Sequence, residues 1–67
     1  MLVNLIGELA KRRITNNELA ELLVCHRNSI TNKLYGTSDF TLKEALRIYN
    51  RYFQGCDFLW LFTVAAA

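Results

Sequence analysis

Six polar side chains between residues 27 and 33 could hydrogen-bond to the edges and backbone of a nucleic acid: Arg27, Asn28, Ser29, Thr31, Asn32 and Lys33. An arginine can donate two parallel hydrogen bonds to guanine, and an asparagine can pair with adenine in the same two-point manner. We therefore expect Arg27, Asn28 and Asn32 to contact DNA bases, and the other three to contact the DNA backbone. A solvated helix face is the alternative, and it is the commoner origin of such a pattern in a small domain.

Two short helices are predicted to position these side chains. Thr15 and Glu18 form a capping-box pattern, which marks a helix start, and leucines then recur at helical spacing up to residue 23. A second helix is expected from Arg27 to residue 35. Its apolar residues Ile30 and Leu34 lie four apart, and a glycine follows at position 36, where a helix end favours a residue that tolerates positive φ.

The residues of this segment resemble the helix-turn-helix of Cro and lambda-repressor type proteins (the XRE class). The matching stretches are Asn16-Asn17-Glu18-Leu19-Ala20, Ser29-Ile30, Leu34-Tyr35-Gly36 and Phe40-Thr41-Leu42-Lys43-Glu44-Ala45, the last of which is similar to phage and prophage members. The resemblance covers residues 2–62. It implies an all-α, five-helix lambda-repressor-like domain with the helix-turn-helix as helices 2 and 3. It also implies a transcriptional regulator, most plausibly a phage or prophage repressor, that binds a double-stranded DNA operator.

Two further expectations come from this resemblance. Asn16 occupies a position that commonly helps to clamp the DNA backbone, and we include Asn17 beside it as a backbone contact. Val24 stands where the family usually has a turn glycine. A β-branched residue with positive φ would be an outlier. We therefore expect either that the helix continues through Val24 or that the turn contains no left-handed residue.

The remaining helices are predicted over residues 2–12, 42–53 and 58–62. In the 42–53 helix we expect an inward stripe with two flanking residues, Ile48 and Tyr52. The stripe itself consists of Leu42, Ala45, Leu46, Tyr49 and Phe53.

The last predicted helix, FLWLF, is apolar on all sides. Its apolar surface is larger than so small a core can bury. We expect Phe58, Leu59, Trp60 and Phe62 to form a two-fold homodimer interface, as the family resemblance also implies, and hence a palindromic operator. Two alternatives stay open. Leu59 and Phe62 could fill the core under Trp60, or the aromatic helix could bind another protein, making the chain an interaction module of the same fold.

Composition and residue spacing argue against the other classes of function. The 67 residues fit one domain, taken as residues 1–64, with 65–67 as a tail that resembles a cloning remnant. One histidine and no phosphate-binding glycine loop leave no credible active site, so we expect no enzyme and no cofactor. Cys25 and Cys56 match no structural zinc spacing, so no metal is expected. No small-molecule ligand is evident. The apolar end is too short to span a bilayer, and no secretory signal is seen, so a cytoplasmic location is expected.

Overall fold

Five α-helices make up the described part of the chain, residues 1–64 of the computed structural model, and this part contains no strand. They are α1 (Val3–Lys11), α2 (Asn16–Leu23), α3 (Arg27–Tyr35), α4 (Leu42–Tyr52) and α5 (Phe58–Leu61). The radius of gyration of 10.8 Å matches the value of about 11 Å for a compact chain of this length. The expected all-α, five-helix domain is thus confirmed. The predicted tail at 65–67 lies outside the described residues.

Every helix contributes to one shared core. Leu5, Leu19, Ile30, Ile48 and Leu61 come from the five helices in order, and each is fully buried. Phe53, just after α4, is the largest fully buried side chain. Helix α2 packs against α3 and α4, while α1 packs against α3 and α5. Within residues 1–64 no polar or charged residue is buried, so the core is held by apolar contact alone.

The expected inward stripe of α4 is partly wrong. Leu42 and Leu46 are 68% and 41% exposed, whereas Ile48, expected at the flank, is fully buried. Ala45 is also buried, so the core-facing side of α4 centres on Ala45 and Ile48. The apolar residues of α4 cover a little under half of its circumference, with Leu46 and Ile48 at opposite edges, and the packing of α2 on α4 determines which edge faces inward.

Each of the four turns between helices contains one residue with positive φ. These residues are Arg13 with φ 56°, Val24 with φ 55°, Gly36 with φ 97° and Gly55 with φ 92°. After α2 the Cys25 amide donates to the Ala20 carbonyl at 2.9 Å, which closes the last turn as in a Schellman motif. Gly36 and Gly55 are free of the steric penalty that a Cβ atom brings at positive φ, whereas Arg13 and Val24 are not.

Both expected conformations of Val24 are therefore wrong. Helix α2 stops at Leu23, and Val24 adopts left-handed φ and ψ angles of 55° and 54°. The backbone hydrogen bonds that close α2 impose this conformation in spite of the branched side chain. That side chain is 85% exposed, so it gains almost no packing in return.

Val24→Gly is expected to stabilise the domain by about 0.5–1 kcal/mol. A left-handed non-glycine residue costs about 1–2 kcal/mol, and the greater freedom of glycine in the unfolded chain offsets about half of that. Urea unfolding measures the change, with Val24→Ala as the matched control. Alanine keeps the Cβ atom and should recover little of the gain. A glycine variant less stable than the wild type would show that Val24 is not strained.

Candidate nucleic-acid interface

Helix α3 has one buried side and one open side. Ile30 and Leu34 are buried and fix the helix to the core, while Arg27, Asn28 and Asn32 are exposed. Among the described residues these three side chains have no hydrogen-bond partner in the protein, and Arg27 has no ion-pair partner. Their donors and acceptors are therefore available to another molecule, and all three lie on one helix that is anchored from behind.

The start of α3 is capped by a residue that the sequence did not single out. The His26 Nδ1 atom accepts a hydrogen bond from the Asn28 amide at 3.1 Å. This bond satisfies one of the amides that a helix N-terminus leaves without a partner. Histidine is an uncommon cap, and its position just before Arg27 is the one feature of the sequence that points to it.

A side-chain bridge joins the start of α2 to α3. The Asn16 amide group donates to the Thr31 hydroxyl at 3.0 Å, and that hydroxyl donates to the Arg27 carbonyl at 3.3 Å. Two of the five residues expected to contact the DNA backbone, Asn16 and Thr31, are thus brought together. Asn17 is exposed beside them, and Ser29 is half-buried on α3. The bridge holds the N-terminus of α2 next to the open side of α3.

Lys33, which is expected to contact the DNA backbone, is not on the open side of α3, and its ammonium group is paired within the protein. Its Nζ atom lies 2.9 and 2.7 Å from the two carboxylate oxygens of Glu44 in α4. The two side chains are only 18% and 23% exposed. The partner lies eleven residues along the chain, so helical spacing could not have revealed it.

Glu44 also completes the capping box of α4. Its carboxylate accepts from the Thr41 amide at 2.9 Å, and the Thr41 hydroxyl accepts from the Glu44 amide at 3.1 Å. The Lys33 ammonium group and the Thr41 amide together lower the pKa of Glu44 below its ordinary value of 4.5. One carboxylate therefore serves both the start of α4 and the side of α3.

Acid is expected to weaken this contact. Because the pKa of Glu44 is lower in the folded than in the unfolded chain, the stabilisation from its contacts with Lys33 and Thr41 is fully present at pH values above the pKa of the unfolded chain. It is lost as the pH falls through the folded value. At pH 7, Glu44→Gln should cost about 1 kcal/mol. Urea unfolding at decreasing pH should show this difference shrinking below about pH 4.5. A difference that is independent of pH would contradict the assignment.

The expected dimer residues differ in their exposure. Leu59 and Trp60 are 78% and 47% exposed, whereas Phe58 and Phe62 are half-buried with ring centroids 5.0 Å apart. The alternative in which Leu59 fills the core is wrong, because Leu61 takes that place and is fully buried. Leu59 and Trp60 thus leave apolar surface open on α5.

The described residues contain no group of three histidine, cysteine, aspartate or glutamate side chains placed to hold a metal ion. Cys25 and Cys56 are half-buried free thiols. Over the same range no helix has the length and apolarity needed to cross a bilayer.

The chain was compared with protein-family models, curated proteins and solved structures, and no match was found in any of the three. The geometry of α2 and α3 is therefore the main basis for a functional conclusion. The sequence indicated the exposed Arg27, Asn28 and Asn32 of α3. It missed the cap that His26 supplies and the pairing of Lys33 with Glu44.

Proposed function

We propose that the chain is a sequence-specific, double-stranded DNA-binding transcriptional regulator of the Cro and lambda-repressor type, with α2 and α3 as its helix-turn-helix. The observation that carries this proposal is the open side of α3. Asn28 and Asn32 are exposed there, Arg27 is exposed at the start of the same helix, and none of the three side chains has a partner among the described residues. These are the side-chain types that pair with guanine and adenine edges in the major groove.

The turn between the two helices supports the same function. DNA-binding helix-turn-helix motifs join their helices by three or four residues that often include glycine. Here three residues, 24–26, separate α2 from α3. Val24 has the left-handed conformation that the usual glycine of the family would adopt easily. A strained valine at this position is expected if the function requires a particular direction of the chain into α3, even at a cost in conformational energy at the turn.

In the proposed complex α3 lies in the major groove, which is wide enough for a helix, and the start of α2 faces the adjacent phosphates. The Thr15 hydroxyl accepts from the Glu18 amide. The amides of Asn16 and Asn17 have no acceptor among the described residues. A helix N-terminus with free amides and a positive dipole end attracts phosphate. Asn16, held by Thr31, would anchor that contact.

We further propose that two copies associate through α5 and act as a phage or prophage repressor in the cytoplasm. The exposed Leu59 and Trp60, with the half-buried phenylalanines beside them, supply apolar surface for this contact. A two-fold dimer presents its α3 helices to successive major grooves about 34–36 Å apart. The operator is then an inverted repeat.

A protein-interaction module of the same fold is the second candidate. The exposed Leu42, Leu59 and Trp60 favour it, since a monomer gains nothing by leaving them in water. In this case the partner is a protein, and duplex binding is weak and equal for all sequences. Steep loss of affinity with salt, together with preference for one duplex, would argue for DNA instead.

Selection of bound duplexes from a random pool tests the proposal. The wild type should enrich an inverted repeat whose half-sites lie about 10–10.5 base pairs apart, centre to centre. The control is the triple variant Arg27→Ala, Asn28→Ala, Asn32→Ala, which should enrich nothing. Enrichment of a single half-site would overturn the dimer but not DNA binding. No enrichment by the wild type, or the same enrichment by both proteins, would overturn the proposed function.

A further inference from the structure

Helix α3 rests on the core along a narrow stripe. Its buried residues are Ile30 and Leu34, four positions apart. At about 100° per residue the stripe is one side chain wide, with Asn28 and Asn32 on the opposite side. Such a narrow stripe constrains rotation of the helix about its own axis less than a broad apolar side would, and this roll angle determines where the two asparagines point.

Two polar contacts flank this stripe, one on each side. Thr31 and Lys33 both lie about 80° from its centre, in opposite directions. Thr31 is held by Asn16 of α2 at 3.0 Å, and Lys33 is held by Glu44 of α4 at 2.7 Å. Among the described residues the Lys33–Glu44 pair is the only side-chain hydrogen bond between α3 and α4. The pair can therefore resist a roll that the narrow stripe alone would allow.

The Glu44 end of this ion pair is itself held in place. The Glu44 carboxylate is fixed at the first turn of α4 by the Thr41 amide at 2.9 Å. The Lys33 ammonium group also lies 5.8 Å from the centroid of the Phe40 ring, which screens it from water. A partly buried ion pair with two short hydrogen bonds holds its geometry better than a solvated one.

We propose that Glu44 is a positioning residue for DNA recognition, which acts through Lys33 to set the roll of α3 and thus the direction of Asn28 and Asn32. This inference rests on the proposed function. Glu44 touches no DNA in this arrangement. Its effect is on which bases are preferred, through the angle at which the open side of α3 meets them.

Electrostatics alone predicts the opposite effect of removing Glu44. Glu44→Ala removes a negative charge and releases the Lys33 ammonium group, and both changes should tighten binding to phosphates. If Glu44 sets the roll of α3, its loss should instead weaken binding to the preferred duplex. The sign of the change therefore distinguishes a positioning role from a purely electrostatic one.

The test measures the ratio of affinities for the selected duplex and for a scrambled duplex of equal length. Glu44→Ala should lower this ratio by about three- to tenfold, with affinity for the scrambled duplex unchanged or higher. Thr41→Ala is the matched control, because it removes the hydroxyl cap of α4 and leaves the ion pair in place. It should lower stability and leave the ratio unchanged. Glu44→Gln, which keeps the side-chain length, serves as the milder variant if the alanine variant unfolds.

A double-mutant cycle shows whether Glu44 acts through Lys33. In a Lys33→Met background, Glu44→Ala should have no further effect on the ratio of affinities. Lys33→Arg keeps the positive charge, and this variant should retain most of the wild-type ratio. An unchanged or higher ratio for both Glu44 variants, or equal losses with Thr41→Ala, would overturn the positioning role alone. A wild type that prefers no duplex would overturn the proposed function and this inference together.

Discussion

Arg27→Ala is expected to weaken binding to the selected duplex by about 1–3 kcal/mol, or about 5- to 150-fold, and to relax the preference at one base position of each half-site. The reason is geometric. The Arg27 guanidinium group is exposed and has no ion-pair partner among the described residues, so it loses little on binding a guanine edge. Because it supports nothing in the fold, the free energy of unfolding should change by less than about 0.5 kcal/mol.

Arg47→Ala is the matched control for this experiment. Arg47 is an exposed arginine on α4, so its substitution removes the same charge from a surface outside α3. It should weaken the selected and scrambled duplexes equally and slightly, through long-range electrostatics alone. Fluorescence anisotropy over a range of salt concentrations measures both effects. Equal losses for the two arginine variants would mean that Arg27 contributes only charge and reads no base.

Leu61→Ala is expected to destabilise the domain by about 2–5 kcal/mol. Leu61 is the fully buried residue of α5, and its loss opens a cavity where α5 packs on α1. A chain of this size has a total stability of only about 3–10 kcal/mol. The variant should therefore lose a large part of its stability and melt at a markedly lower temperature than the wild type, as circular dichroism at 222 nm would show.

Leu59→Ala provides the comparison two residues away. Leu59 is 78% exposed, so its truncation should change the free energy of unfolding by less than about 0.5 kcal/mol in the monomer. Repeating the melt after tenfold dilution separates any contribution from self-association, which depends on concentration. Similar losses for the two leucine variants would contradict the placement of α5.

The features that the sequence predicted correctly depend on local chemistry. Thr41 and Glu44 form the capping box that their spacing predicts, and Gly36 ends α3 in the left-handed conformation. The exposure of Asn28 and Asn32 follows from the positions of Ile30 and Leu34 in the same helix. Each of these outcomes involves residues only a few positions apart, so helical periodicity and capping preferences are sufficient to predict them.

The features that the sequence missed depend on contacts between helices. The choice between Ile48 and Leu46 as the inward residue of α4 depends on where α2 packs, and both positions look equally apolar in sequence. The pairing of Lys33 with Glu44 depends on how α3 and α4 lie together. Val24 was mispredicted because its intrinsic preference opposes the conformation that the closing hydrogen bonds of α2 impose.

The most direct measurement is an NMR titration of the ¹⁵N-labelled protein with the duplex enriched from the random pool. The proposed function predicts that the largest amide and side-chain shifts occur at Asn28 and Asn32 on the open side of α3, at Arg27 where α3 begins, and at the start of α2. The exposed side of α4 should change little. Shifts that instead centre on α4 or α5, with Arg27 and Asn32 unperturbed, would contradict the assignment of α3 as the helix that reads DNA.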